Sequence, residues 1–192
     1  MSPEPPTSLG APGAAAAVMG PADYARACVE AFVGGRPAPP PPADDFYDRV
    51  AACFCSLKKS GELRGCIGTL APAEPSLGDE IARNAYAAAF HDPRFSPVSE
   101  PELASLSYSV DVLSPCEPCA ADDLDPRRYG VIVAVGARRG VLLPDLPGVD
   151  TVDRQLAIAL QKAGITPGEA FSIERFTVSR FGEAAGCDQA CG

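Results

Sequence analysis

The chain has 192 residues, 46% hydrophobic and 21% charged, with eight Cys, one His and no Trp, which describes one globular domain and leaves no room for two. A net charge of −9 opposes a phosphate backbone and argues against a nucleic-acid partner. No apolar run approaches the ~20 residues of a membrane helix, and the first residues lack the charged start of a secretory leader, so the reading is a cytoplasmic protein with reduced thiols and no membrane partner.

Residues 1–20 read as a disordered Pro/Ala-rich tail, 21–182 as the domain, and 183–192 as a flexible tail carrying Cys187 and Cys191. Tyr24, Ala27, Cys28, Ala31 and Phe32 recur at helical spacing, and Gly34-Gly35 ends that helix. The run 36–42, mostly Pro, is a stiff connector, with a ligand for a proline-reading domain as the other reading. Val50–Leu57 reads as a strand, Lys58–Gly61 as a turn and Glu62–Ile67 as the antiparallel partner. Ser76 starts a helix with Leu77, Ile81, Ala85 and Ala88 on its buried stripe, and His91-Asp92-Pro93 ends it. Ser107–Leu113 alternates as a half-buried strand. Tyr129–Val135 is a central strand, turned by residues 136–140 into Val141–Leu143. Thr151 caps a helix through Lys162 that leaves at Gly164, and residues 171–181 close the fold as one strand with a bulge near Glu174-Arg175. Hairpins and helices without regular βαβ alternation predict an α+β fold on an antiparallel sheet.

The chemistry concentrates in Leu63-Arg64-Gly65-Cys66-Ile67-Gly68. Strict alternation puts Arg64 and Cys66 on one face. A guanidinium at ~6 Å and an effective dielectric near 20 favours a thiolate by about 2 to 3 kcal/mol, so a reactive thiol is feasible. Gly65 and Gly68 leave room for a ligand or a second backbone beside the sulfur. The competing reading is a packed, inert core thiol between apolar neighbours.

These residues resemble the signature of the AMMECR domain family. The resemblance runs on through Asp92-Pro93-Arg94-Phe95, Tyr108–Leu113, Leu124-Asp125-Pro126, Tyr129–Val133, Arg139–Pro144 and Lys162–Ile165. It implies an α+β domain with a larger and a smaller lobe. It also implies association with a MEMO-like protein and a radical SAM protein, while a thiol with a guanidinium as charge stabiliser suits a small anionic or carbonyl-containing metabolite. Carried over residue by residue, it makes Cys66 and Arg64 the catalytic candidates and Gly65, Gly68, Asp92, Arg94 and Arg139 the substrate-binding ones. Cys53, Cys55 and Tyr129 depart from residues common in the family, as does Phe181, where a His is frequent.

No cofactor signature is read, including the three-cysteine cluster of radical SAM enzymes, and no metal site is assigned. Cys53-x-Cys55 has ligand-like spacing but reads as core packing. Cys116-x-x-Cys119 with Cys187-x-x-x-Cys191 has the makings of a four-thiolate zinc clamp, or of unpaired loop thiols. His91 beside Asp92 reads either as a general base or as a helix terminator. Two function classes follow: an enzyme or enzyme component using Cys66, and a non-catalytic module that binds the partners or a metabolite at the same motif.

Overall fold

The structure, a computed structural model, describes residues 19–166 and 168–183. In chain order the helices are α1 (Pro21–Val33), α2 (Asp45–Asp48), α3 (Leu77–Phe90) and α4 (Val152–Ala163). The strands are β1 (Cys53–Lys59), β2 (Glu62–Gly68), β3 (Leu106–Leu113), β4 (Glu117–Pro118), β5 (Gly130–Val135), β6 (Arg138–Leu142), β7 (Ser172–Phe176) and β8 (Val178–Gly182). They form two antiparallel sheets, ordered β2-β1-β3-β8 and β4-β7-β5-β6, so the fold is α+β with two lobes.

The larger lobe packs α1 and α3 on one face of the first sheet. Cys53, Cys55 and Leu57 of β1 and Tyr108, Val110 and Val112 of β3 meet Tyr24, Cys28, Ile81 and Ala85 in its core. Ser76 caps α3 by accepting the Asp79 amide at 3.1 Å. The proline-rich connector lies over these helices: the Tyr24 hydroxyl donates to the Pro39 carbonyl, and Pro41 occupies the space a Cβ on Gly78 would need.

The hairpin that carries the motif is longer and tighter than its alternation suggests. Ser60 and Gly61 have φ of 53° and 83°, the two-residue turn that follows the strand twist, so β1 runs on to Lys59. At its other end β1 begins only at Cys53, and Val50 is exposed. Pairing runs Ser56 with Cys66 and Leu57 with Gly65, then jumps to Lys58 with Leu63. Arg64 is therefore the extra residue of a bulge, and the alternation that would align it with Cys66 is broken.

In the smaller lobe, α4 covers the face of the second sheet that carries Val131, Val133 and Leu142. Thr151 caps α4 through the Arg154 amide, and Gly164 ends it at φ 63°. Two of the expected elements change here. Gly136-Ala137 suffices as the turn between β5 and β6, so Arg138 and Arg139 belong to β6. The single strand expected over residues 171–181 divides at Thr177, with β7 in one sheet and β8 in the other. What reads as a bulge is a crossing between sheets. The β3–β4 segment crosses back beside it: the Ser114 amide donates to the Thr177 carbonyl at 3.0 Å, and the Thr177 amide to Ser114 Oγ at 2.9 Å. Ala52, Leu113, Ile132 and Phe176 form the buried core between the lobes. Among the described residues, no helix is long and apolar enough to cross a membrane.

Candidate functional site

β2 is the outer strand of its sheet, and Cys66 is the point at which its open edge is closed by side chains. The Cys66 amide donates to Asp92 Oδ2 at 2.9 Å, and Arg94 Nη2 donates to the Cys66 carbonyl at 3.3 Å. Arg94 also donates to both Asp92 oxygens, at 2.9 and 2.6 Å. Asp92-Pro93-Arg94 thus imitates a neighbouring strand for one residue and satisfies an edge that would otherwise stay open. Asp92 is only 4% exposed. The Arg94 guanidinium, then the Cys66 and Arg94 amides, hold its carboxyl far below the usual carboxylate range, against the opposing effect of burial.

The Cys66 sulfur points elsewhere. Ser56 Oγ donates to it at 3.2 Å, on the face of the first sheet opposite α1 and α3. The register continues this row through Ser109, so the half-buried thiol sits in a polar strip. Gly65 faces the other way, where a Cβ would lie 2.3 Å from the Ala88 carbonyl oxygen of α3. Its missing side chain serves helix–sheet approach, not ligand access.

Arg64 is committed to a different partner. Its Nε and Nη2 make a two-pronged pair with Glu102, both at 3.0 Å, and Lys59 approaches the same carboxylate at 3.3 Å. The Arg64 guanidinium is the main reason the Glu102 carboxyl falls to about 2. The pair ties the bulge to the short 3-10 helix over Glu100–Ser105. The guanidinium brought to Cys66 is that of Arg94, whose charge is favoured by Asp92 first and by Cys66 to a lesser degree.

Gly68, two residues beyond Cys66, lines a groove of about 380 Å³ between the lobes, with Phe54, Leu143, Leu146 and Lys162. A Cβ there would strike the Phe54 ring at 2.3 Å. Arg139 lies apart from these residues. It lines a second cavity of about 310 Å³ and pairs with Glu174 at 3.0 Å. Cys66 lines neither space.

Sequence reasoning passed over several residues that organise the site. Glu80 is wholly buried in α3 and accepts hydrogen bonds from the Thr69 hydroxyl, the Ala73 and Glu74 amides at 2.8 and 2.9 Å, and Asn84 Nδ2. It pins the loop that leaves the motif. Its signal is two polar residues, Glu80 and Asn84, four apart beside the apolar stripe of α3. Ser56 comes opposite Cys66 only when the two-residue turn and the bulge at Arg64 are both counted, since the turn alone would set Ser56 against Gly65. Glu102 and Glu174 are distant in sequence from the arginines they bind, and nothing local marks them.

Burial pushes the Cys28 thiol up to about 11, and the Cys55 thiol is raised well above its ordinary value by Cys53 and by burial. Cys116 packs toward the core between the lobes and Cys119 toward the core of the smaller lobe, so the Cys116-x-x-Cys119 pair diverges. Cys187 and Cys191 lie outside the described residues. Among those described, no group of three or more His, Cys, Asp or Glu is placed to hold a metal ion. His91 meets Tyr86 edge to face with ring centroids 5.1 Å apart, while Asp92 is committed to Arg94 and the Cys66 amide.

A model of the AMMECR1 family matches residues 22–184, the whole of both lobes. The chain belongs to the AMMECR1 family. Relatives in the curated set include a Thermotoga maritima protein, 52% identical over 141 residues that span 72% of this chain and 81% of the relative. A Clostridium acetobutylicum protein is 48% identical over 141 residues; the match takes in 73% of this chain but only 30% of that longer protein. Among solved structures, the crystal structure of an uncharacterized protein from Pyrococcus horikoshii matches with a TM-score of 0.76 and 29% identity, covering 85% of this chain and 89% of that one. The two-lobed AMMECR1 fold described above is thus shared with a solved structure.

Proposed function

We propose that this AMMECR1-family chain is an enzyme or enzyme component acting on a small anionic or carbonyl-containing metabolite, alongside MEMO-like and radical SAM partners, with Cys66 as its reacting thiol. One observation carries this reading: a half-buried thiol on an otherwise polar strip, with the Arg94 guanidinium bound to its own peptide group and a groove opening at Gly68. Addition of the thiol across a carbonyl forms a carbon–sulfur bond and passes the thiol proton to oxygen, which needs no co-reactant. Arg94, with a side chain 53% exposed, is the donor available to the developing oxyanion. Arg64 acts at one remove, by holding the bulge in place.

The test is consumption of a metabolite from cell extract by the chain with both partner proteins, followed by mass spectrometry. Cys66→Ser should abolish consumption while co-elution with the partners and the unfolding temperature stay unchanged. A second reading, a non-catalytic binding module, draws support from the commitment of Arg64 and Asp92 to internal ion pairs. Consumption that is absent in the parent protein, or equal in the variant, favours that module.

A further inference from the structure

The second cavity between the lobes has a chemistry of its own, independent of Cys66. Arg139 of β6 and Glu174 of β7 meet at 3.0 Å across β5, on the face of the second sheet that looks toward the larger lobe. Both are partly open to solvent, their side chains 54% and 32% exposed. Such a pair is weakly coupled and opens at little cost. Beyond it the wall is apolar, with Leu70, Leu113 and Ile132, and Cys116 also lines the space. The space, about 310 Å³, is at the small end of ligand sites.

We propose that this cavity binds a small zwitterion of amino-acid type, its carboxylate on Arg139, its ammonium on Glu174 and its apolar side chain against Leu70, Leu113 and Ile132. A simple anion meets Glu174 next to Arg139, the one cation among the described lining residues, and a simple cation meets Arg139 itself. A molecule carrying both charges replaces the pair with two new ones and leaves no charge unmatched. Cys116 lines the same cavity as Arg139 and Glu174, which places its thiol close enough to report on occupancy.

The test uses the full chain and iodoacetamide, with the labelling rate of each cysteine read by peptide mapping. Alanine, leucine and phenylalanine are the probes, with isovalerate and isoamylamine as single-charge counterparts of leucine. At least one amino acid should slow Cys116 labelling saturably, by about tenfold at ten times its Kd. Cys119, facing the other core, should keep its rate. Arg139→Gln and Glu174→Gln should each remove the protection, and calorimetric titration of the same proteins should give the same order without relying on the thiol. The proposal is overturned if no amino acid produces heat or protection, or if isovalerate or isoamylamine serves as well as leucine. Cys66 chemistry is untouched by either outcome.

Discussion

Cys66 divides its contacts: the peptide group is held by Asp92 and Arg94, the sulfur by Ser56. The two halves should respond differently to substitution. Asp92→Ala strands the Cys66 amide and part of Arg94, and should cost about 2 to 3 kcal/mol in urea unfolding, below the full value for a buried pair because Arg94 is half exposed. Cys66→Ser keeps the Ser56 contact and should cost less than about 1 kcal/mol. Acid adds a second signature. Asp92 and Glu102 have folded-state values below the ordinary ~4 of an unfolded carboxyl, so their stabilisation is complete above that value and is lost as pH falls. The unfolding temperature should therefore be level near neutrality and drop from about pH 4.5 toward 2, with a shallower drop in Glu102→Gln. At this scale the sequence names Cys66, Asp92 and Arg94 but pairs the thiol with the wrong arginine. Alternation counts two residues between Arg64 and Cys66, and one bulge undoes that count.

The element that positions the site is the β1–β2 hairpin pressed on α3. Gly65→Ala should cost about 3 kcal/mol or more, since its new methyl meets backbone that cannot step aside, and the loss should appear as a lower urea midpoint. Ser60→Asn should do the reverse, stabilising by about 0.5 kcal/mol, because Asn tolerates the positive φ that Ser60 adopts before Gly61. Helices were legible because their caps are local: Ser76, Thr151 and Gly164 stand where the spacing puts them. Strand limits were less so. Residues 171–181 look continuous as a pattern, and only the presence of two sheets tells that Thr177 is a crossing.

Across the whole molecule, two sheets share one small core and two adjacent crossings. Phe176 fills that core against Gly130, whose missing Cβ makes room for the ring. Phe176→Ala should cost about 3 to 5 kcal/mol and split a single unfolding transition into two, seen as non-coincident far- and near-ultraviolet dichroism curves. The α+β class and the family were readable from hairpins and an ordered series of motifs. The lobe interface was not, because the apolar contacts and the Ser114–Thr177 hydrogen bonds that build it join residues far apart in the chain.

The proposed role for Cys66 stands on an accessible thiol beside a cation, and its alkylation by iodoacetate and by iodoacetamide, mapped by peptide, tests both halves at once. In the folded protein Cys66 should react with both reagents. Relative to the urea-unfolded chain, it should favour the anionic reagent, with the preference lost in Arg94→Gln. A Cys66 that stays unlabelled until the chain unfolds, or that shows no preference for iodoacetate, contradicts the account.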